Sequence, residues 1–386
     1  MVFLFMKKTL LIFAYFFPPH VGGGETHVYE FARHLSEKEY NIVIFTPNIP
    51  KTKEIEKIKN NLKVIRYPSI ELMGNPVPKF WKLKFWNLFK IAIKEKPDFV
   101  MSRTRFFFPS FFCFLFAKLT KTKHIHVEQG SDFLKTGNWF KDRIAKIYDL
   151  TIGKLILSKA DCCVAISDAV YKFVKKFRSR KIFVISRGLE MEEMEKINLD
   201  KFILENYGNK IKICFVGRLI YWKGLHNALN GFMQLSEKLK SGSVFFVVGS
   251  GPEKKDYESR YKNQNIKFFG EVSRKKALSI MKSCNIFVHS TISGGGLSCS
   301  LLEAMYLGKA IVATPAEGAN EVIFNNKTGI LLKESSPKEF RKGFEILLKD
   351  EKLRKKLGEN AKKYIKENFS WDKKIEQYVK LFNKMK

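Results

Sequence analysis

The sequence lacks the cysteine patterns that hold metals or disulfide frameworks. Its 386 residues include six cysteines, none of which belongs to a Cys-x-x-Cys pair or has a histidine at a matching spacing. Most of these cysteines lie in apolar runs, so neither a zinc site nor a disulfide framework is supported. We therefore expect no metal site, and we expect the protein to work in a reducing, cytoplasmic compartment.

Long apolar runs are also missing. No run reaches the ~18–20 residues of a membrane span, and the longest candidate, residues 106–119, is shorter and contains Pro109. The stretch from Met6, MKKTLLIFAYFFPPH, resembles a secretory signal. Because no small-residue cleavage site follows it, we expect a buried first strand instead.

Acidic residues are scarce relative to basic ones. The chain has 70 Lys and Arg against 38 Asp and Glu, a formal net charge of +32, which attracts nucleic acid, anionic lipid and phosphorylated small molecules alike. The lysines are spread along the whole chain, so a general compositional bias also explains part of the excess. No nucleic-acid-reading module occurs, and basic residues do not cluster beside an aromatic strand platform, so we expect no nucleic-acid partner.

What the chain does contain is a repeated alternation of apolar strands, loops and amphipathic helices. Apolar runs typical of strands covered on both faces occur in the first half at residues 9–16, 41–47, 98–102, 124–128, 162–167 and 182–186. They recur in the second half at residues 210–217, 243–249, 266–270, 285–290 and 310–314. This order predicts an α/β protein with two Rossmann-like, doubly wound parallel-sheet domains that face each other across a cleft.

Two cations follow the first strand of the second half. Arg218 lies just past the strand end, and Lys223 lies five residues later, where a helix is expected to begin. Two side-chain cations and the free backbone N–H groups of a helix start would surround one anion. Both residues could equally be ordinary solvated surface charges.

Glycines lie at three strand ends. Gly22, Gly23 and Gly24 follow the first strand, where the missing Cβ would let the backbone approach a phosphate or sugar, although a tight turn explains one or two of them equally well. The glycines of VVGSGPE, residues 247–253, are explained more simply by a turn. Three consecutive glycines at 294–296 also suggest that the backbone must approach a ligand.

Glu303 follows the last of these glycine runs. Its carboxylate could hydrogen-bond the vicinal hydroxyls of a ribose, a role that acidic residues often take in nucleotide sites. Alternatively, Ser300 and Glu303 form the spacing of a capping box that closes a helix end.

In combination, these segments resemble the GT-B-fold glycosyltransferases of family four, retaining enzymes that use nucleotide sugars. The resemblance runs through PPHVGGGETHVYEFARHL, FVGRLIYWKG, GSGPE, FFGEV and GLSCSLLEAMYLGKAIVAT, and it covers nearly the whole chain. It implies an acceptor-side domain at residues 1–190 and a nucleotide-sugar-binding domain at residues 191–367. Residues 368–386 are similar to the family's closing helix, which returns to the first domain.

The resemblance also implies roles for particular residues. Arg218 and Lys223 would hold the diphosphate of a UDP- or GDP-sugar without a metal, and Glu303 would hold the ribose. The remaining donor-binding positions would be Gly22, Gly23, Gly24, Gly270, Glu271, Gly295, Gly296, Leu297 and Ser298.

Two positions depart from the family pattern. Gly295 stands where the family usually has a glutamate that touches the donor sugar. Gln129, in VEQGSD, stands where the family often has histidine; we assign Gln129 a catalytic role, because its amide can donate a hydrogen bond although it cannot titrate. These departures leave open an alternative function, a catalytically weakened nucleotide-sugar or glycan-binding protein.

The acceptor is expected to be a glycan or a lipid-linked sugar, in the synthesis of cell-surface polysaccharide or glycolipid. Residues 79–96 form a basic, aromatic segment with Trp81, Phe85, Leu88, Phe89 and Ala92 on one predicted helix face. Such a helix could lie on an anionic membrane surface, peripheral to the cytoplasmic face. The same face could instead belong to the protein core.

Overall fold

The chain folds into two compact units, each built around its own parallel sheet. A computed structural model describes residues 7–20, 22–72, 75–133, 139–178, 181–292, 296–316 and 318–385. Unit 1 comprises Met1–Phe133, Arg143–Gly188 and Trp371–Lys386, and unit 2 comprises Leu134–Asp142 and Leu189–Ser370.

Unit 1 contains an eight-stranded sheet and a separate two-stranded hairpin. The strands are β1 (Thr9–Phe13), β2 (Asn41–Pro47), β3 (Ile55–Lys59), β4 (Leu62–Tyr67), β5 (Ser69–Leu72), β6 (Asn75–Pro78), β7 (Phe99–Arg103), β8 (Lys123–Glu128), β9 (Cys162–Ala165) and β10 (Ile182–Val184). The large sheet has the order β10-β9-β8-β7-β1-β2-β4-β3 and is parallel except for the β3–β4 pair. Strands β5 and β6 pair with each other.

Strand β1 shows why the apolar runs are continuous. Leu10 and Ile12 point into the core on one face of the sheet, while Leu11 and Phe13 point into the core on the other face, and none of the four is exposed. The strand pairs with β2 and β7 on its two sides. The expectation of a buried first strand is therefore confirmed.

Helices alternate with strands in the first half of the chain. They are α1 (Gly23–Ser36), α2 (Leu83–Lys94), α3 (Phe108–Thr120), α4 (Trp139–Tyr148), α5 (Lys154–Lys159) and α6 (Asp168–Lys175), with a π-helical turn at Asp149–Gly153. Helix α3 occupies the apolar run of residues 106–119, and its Phe112, Cys113 and Phe116 are buried in the core. Within the described part of the chain, every helix is too short or too polar to cross a bilayer.

Helix α2 differs from the expected amphipathic segment. Phe85, Leu88, Phe89 and Ala92 are buried in the core of unit 1, which confirms the core interpretation for these four residues. Trp81 was predicted on the same face, but it precedes the helix and is 59% exposed. The reason is that the helix begins only at Leu83, so helical spacing does not extend back to Trp81.

Unit 2 contains a six-stranded sheet that is parallel throughout, in the order β13-β12-β11-β14-β15-β16. Its strands are β11 (Ile211–Val216), β12 (Ser243–Val248), β13 (Ile266–Gly270), β14 (Ile286–His289), β15 (Ala310–Ala313) and β16 (Ile330–Leu331). Its helices are α7 (Met191–Glu195), α8 (Lys201–Tyr207), α9 (Leu225–Met233), α10 (Glu237–Ser241), α11 (Lys254–Arg260), α12 (Arg274–Ser283), α13 (Cys299–Tyr306), α14 (Pro337–Lys349) and α15 (Glu351–Asn368). Two doubly wound parallel sheets confirm the expected fold class.

The last helix, α16 (Trp371–Lys384), packs into unit 1. Its Trp371, Ile375 and Tyr378 are buried, and the Tyr378 ring lies edge-on against Phe31 of α1, with ring centroids 4.8 Å apart. The Trp371 ring is also so close to Gly188 that a Cβ there would lie 2.3 Å from it. The end of the chain is thus part of the core of unit 1.

We expect Trp371→Ala to destabilise unit 1 by about 3–5 kcal/mol, because truncating a buried aromatic ring removes its burial and leaves a cavity. Urea unfolding followed by far-UV circular dichroism measures this. Trp81→Ala is the matched control, since that ring is 59% exposed and its loss should change stability by no more than about 0.5 kcal/mol. Equal unfolding midpoints for the two variants would contradict the assignment of α16 to the core.

Candidate functional site

The carboxyl edge of the unit 2 sheet provides a natural ligand site. Strand β11 lies between β12 and β14, so the chain leaves β11 towards one side of the sheet and reaches β14 on the other. Loops that follow such neighbouring strands diverge, and ligands bind in the opening between them. Arg218 follows β11, and residues 290–292 follow β14.

Backbone hydrogen bonds fix the loop that carries the two predicted cations. Lys223 ends a single 3₁₀ turn, Tyr221–Lys223, and Gly224 then adopts φ +64° before α9 begins. The Ser290 hydroxyl donates to the Lys223 carbonyl at 2.7 Å, and Ile292 N–H donates to the Trp222 carbonyl at 2.8 Å. A Cβ on Gly224 would lie only 2.2 Å from the Ser290 carbonyl oxygen, so this close approach requires glycine.

Burial and neighbouring groups affect the pKa of Lys223. Burial lowers the pKa of Lys223 to about 8; Cys299 acts in the opposite direction, and the positive charge of Arg218 adds to the lowering. Lys223 Nζ also lies 4.6 Å from the centroid of the Trp222 ring. Burial and the Lys223 charge lower the pKa of His289 to about 3, so its imidazole is neutral. Arg218 is exposed and Lys223 is half-buried, so the same loop carries a solvent-facing guanidinium and a partly buried ammonium.

Glu303 forms an ion pair that the sequence did not predict. Its Oε1 lies 3.1 Å from Arg274 Nη2, and the same guanidinium also contacts Glu193. The capping-box alternative is wrong, because α13 has Ser298 as its N-cap and Ser300 lies inside the helix. Glu303 is only 13% exposed in its side chain, and Arg274 orients its carboxylate.

The other predicted positions of unit 2 lie at strand ends or at the start of α13. Gly270 ends β13, and its carbonyl accepts from Gly249 N–H at 2.8 Å, while Glu271 beside it is exposed. Gly296 has φ +55°, Leu297 is buried, and Ser298 is the N-cap of α13. Gly295 lies outside the described residues.

In unit 1, the predicted glycine loop is filled by neighbours from its own unit. A Cβ on Gly24 would lie 1.6 Å from the Tyr15 hydroxyl oxygen, and a Cβ on Gly22 would lie 2.4 Å from Glu25 Oε2. Glu25 is buried and its Oε1 lies 2.8 Å from His20 Nδ1. Close packing within the unit thus explains Gly22 and Gly24. The sequence did not indicate that Tyr15 and Glu25 would be the neighbours that require glycine at these positions.

Gln129 follows β8 directly, at the carboxyl edge of the unit 1 sheet. Its backbone N–H donates to Glu128 Oε1 at 2.9 Å. Its side-chain Nε2 is buried and makes no hydrogen bond to any residue that the structure describes. In the described ranges, no group of three or more His, Cys, Asp or Glu side chains has an arrangement that could hold a metal ion.

Comparison with known proteins identifies the family. A model described as Glycosyltransferase Family 4 matches residues 21–193, and one described as Glycosyl transferases group 1 matches residues 196–364. A glycosyltransferase of Methanocaldococcus jannaschii is 49% identical to this chain and covers 98% of it and 99% of its own length. The chain is a group 1, family 4 glycosyltransferase.

Two more distantly related proteins also match more than nine-tenths of this glycosyltransferase. An N,N'-diacetylbacillosaminyl-diphospho-undecaprenol alpha-1,3-N-acetylgalactosaminyltransferase of Campylobacter jejuni is 26% identical over 91% of this chain and 93% of its own. The crystal structure of Anabaena HepE in complex with UDP-glucose superposes with a TM-score of 0.74 at 15% identity, covering 98% of this chain and 99% of HepE. The likeness to HepE shows that the two share the GT-B fold.

We expect the affinity of this glycosyltransferase for UDP to fall as the pH rises through about 8, the pKa of Lys223 in the free protein. Below that pH the ammonium is charged and attracts the diphosphate, and above it the charge is lost. Loss of one charge-assisted hydrogen bond of about 1.5–3 kcal/mol corresponds to roughly a 10- to 100-fold weaker Kd. Isothermal titration calorimetry across this pH range measures the effect.

Lys223→Arg provides the control, because a guanidinium stays charged up to a pH of about 12. Its UDP affinity should stay level across the range in which the parent protein weakens. Parallel pH profiles for the two proteins would mean that Lys223 does not contact the diphosphate.

Proposed function

We propose that this glycosyltransferase moves a sugar from a UDP- or GDP-sugar to a glycan or lipid-linked acceptor with retention of anomeric configuration, in the synthesis of cell-surface polysaccharide or glycolipid. The observation that carries this proposal is the pair of cations, Arg218 and Lys223, held near each other after β11. A sugar diphosphate is the class of substrate whose charge matches them.

The proposed chemistry needs stabilisation of a leaving diphosphate. As the bond between the anomeric carbon and the β-phosphate oxygen breaks, negative charge develops on that oxygen, and Arg218 and Lys223 stabilise it. The acceptor hydroxyl attacks from the same face of the sugar and passes its proton to the departing phosphate oxygen. Retention by this route requires no carboxylate nucleophile, so it is compatible with glycine at position 295.

The remaining site residues would bind the donor. Glu303, oriented by Arg274, would accept hydrogen bonds from the ribose hydroxyls, and the Gln129 amide would donate to a hydroxyl of the reacting sugar. Backbone groups would border the donor at Gly22, Gly23, Gly24, Gly270, Glu271, Gly295, Gly296, Leu297 and Ser298.

Similar proteins support both substrate classes. HepE, of the same fold, has been crystallised with UDP-glucose, which supports a nucleotide-sugar donor. The Campylobacter jejuni relative is named for an acceptor linked through diphosphate to undecaprenol, which supports a lipid-linked acceptor. We extend both substrate classes to this chain.

A binding protein without turnover is the second candidate function. It is favoured by Gly295 and Gln129, because glycine cannot offer a carboxylate to the donor sugar and glutamine cannot titrate as a histidine can. Turnover measurements separate the two candidates.

We expect Arg218→Ala to lower kcat for transfer or donor hydrolysis by about 10²–10³-fold, because it removes one preorganised group that stabilises the leaving diphosphate. A panel of UDP-, GDP- and ADP-sugars, with release of the nucleoside diphosphate as readout, measures this. Arg260→Ala in the same unit is the control, since its exposed guanidinium pairs only with the nearby Asp256 among its described contacts and should leave kcat unchanged. Binding of a donor without turnover in the parent protein would favour the second candidate.

We also propose that residues 79–96 bring unit 1 to an anionic membrane surface. Although the helix face of α2 is core, four large apolar side chains at its N-terminal end are exposed: Phe80, Trp81, Leu83 and Trp86. Exposed lysines lie among and beyond them, at positions 82, 84, 90, 94 and 96. Aromatic and basic side chains together suit the interface of an anionic bilayer.

We expect a variant with Phe80, Trp81 and Leu83 all changed to serine to lose co-sedimentation with liposomes that contain anionic lipid. The parent protein should pellet with these liposomes and pellet less with neutral ones, because lysines contribute about 1 kcal/mol each near an anionic surface. Phe324→Ser, which removes an exposed apolar side chain of unit 2, is the control and should still pellet. If the triple variant pellets like the parent, this segment is not the membrane contact.

A further inference from the structure

A buried hydrogen-bonded chain ends at the segment that carries Gln129. Along β8, His124, His126 and Glu128 point to the same face of the strand, because side chains alternate with a period of two. Ser102 Oγ of β7 lies 2.7 Å from His124 Nε2 and 2.7 Å from His126 Nδ1, and His126 Nε2 lies 3.1 Å from Glu128 Oε2. All four side chains are buried.

Ser102 joins the two imidazole rings to the carboxylate. Its hydroxyl contacts His124 Nε2 on one side and His126 Nδ1 on the other. His126 Nε2 then donates to Glu128, because a carboxylate oxygen can only accept. The chain thus runs without a break from His124 to Glu128.

The Glu128 carboxylate holds the backbone that follows it. Its Oε1 accepts from the backbone N–H groups of Gln129 at 2.9 Å and Gly130 at 2.8 Å, and its Oε2 accepts from Arg105 N–H at 3.2 Å. Two successive N–H groups bound to one oxygen fix the turn at the end of β8. The turn sets the direction of the Cα–Cβ bond from which the Gln129 amide projects.

Arg105 in turn fixes Glu128. Its Nη1 lies 3.2 Å from Glu128 Oε1, and its Nε and Nη2 each donate to Asp149 at 2.9 Å. The guanidinium also lies over the Phe173 ring, 4.2 Å from its centroid. Burial alone would raise the pKa of Glu128, but Arg105 and the His126 hydrogen bond outweigh it and lower the pKa to about 2. The carboxylate is therefore charged throughout the working pH range.

We propose that Glu128, held by Arg105, is a positioning residue that aims the Gln129 amide at the reacting sugar. This inference rests on the proposed function, in which Gln129 donates to a hydroxyl of that sugar. Glu128 itself is buried and has its hydrogen-bonding positions filled by protein groups, so it acts through the backbone of Gln129 and Gly130. The group that donates to the sugar is Gln129 Nε2, which makes no hydrogen bond to any described residue.

A double-mutant cycle tests the proposal. Glu128→Gln replaces one carboxylate oxygen by an NH₂ group, which faces N–H donors whichever way the amide is turned: those of Arg105 and His126, or those of Gln129 and Gly130. Either placement pushes the side chain away from its donors and loosens the turn. We expect kcat to fall by at least about tenfold with the donor KM nearly unchanged, because misplacement of a catalytic group by about 1 Å can cost up to about 10²-fold. In a Gln129→Ala background the same substitution should change kcat by no more than about twofold, since Glu128 then has no side chain to aim.

Two further variants separate positioning from folding. Gly130→Ala is milder: its Cβ would lie 3.1 Å from Arg105 Nη1 and 3.4 Å from Glu128 Oε1, so it shifts the turn without removing a charge. It should lower kcat, and the effect should again disappear with Gln129→Ala. Ser102→Ala is the matched control, because Ser102 belongs to the same buried chain but is separated from Glu128 by His126; it should lower Tm and leave kcat within about twofold. If Glu128→Gln fails to fold, the Gly130→Ala cycle decides.

Hydrogen exchange gives a readout that does not depend on turnover. In Glu128→Gln, the Gln129 and Gly130 amides should lose protection while the β8 amides keep theirs. Equal kcat losses with and without the Gln129 side chain, or unchanged protection of the two amides, would overturn the positioning role in an active enzyme. A parent protein with no turnover on any sugar nucleotide would instead overturn the proposed function, and the positioning role with it.

Discussion

The proposed diphosphate site depends on two positive charges carried by one loop of unit 2, Arg218 and Lys223. Burial lowers the pKa of Lys223, and the positive charge of Arg218 adds to this effect, so a bound anion would stabilise the charged ammonium. What keeps Lys223 in place is backbone, because Ser290 and Ile292 bind the 3₁₀ turn and Gly224 allows that approach. Rigid backbone donors and acceptors do not need to reorganise when charge develops on the leaving group, which is the requirement for electrostatic catalysis.

In unit 1, by contrast, the buried charges are paired with one another. Glu128 and Asp149 are fully buried, and Arg105 compensates both of them. Such a buried cluster contributes little net stability, because desolvation of the ions offsets their attraction, but it leaves few alternative arrangements for the backbone around it. In the proposed site, unit 2 offers two cations to a ligand, whereas the charges of unit 1 pair with one another around a turn.

Much of the fold could be predicted from hydropathy patterns that are visible in a single sequence. Strands buried on both faces, such as β1, give continuous apolar runs, and these were predicted. Strand β3, with the sequence IEKIK, is an edge strand with exposed charges, and β6 contains two prolines, so neither has a run that hydropathy can detect. The expected face of α2 failed at Trp81 because periodicity does not show where a helix begins.

The site was predictable only in part, for a similar reason. Arg218 and Lys223 lie at a strand end and a helix start, which a local pattern shows. The Arg274–Glu303 and Arg105–Glu128 contacts join residues 29 and 23 positions apart, and only the packing of the sheets and helices brings them together. The sequence HIHVE, residues 124–128, did contain a signal for the Arg105–Glu128 contact. Its polar side chains alternate along a buried strand, so they must find hydrogen-bond partners inside the protein.

Glutamine at position 129 would place demands on the protein around it that a histidine would not. A histidine can adapt to a hydroxyl by changing tautomer or by taking up a proton, whereas an amide donates only through its NH₂ group at every pH. A glutamine side chain also has more rotatable bonds, so the proposed role requires a well-fixed backbone from which the amide projects. The two backbone hydrogen bonds to Glu128 fix that backbone, and because Glu128 stays charged, they do not change with pH. The pH dependence of the proposed site then comes from Lys223, whose ammonium loses its charge as the pH rises through about 8.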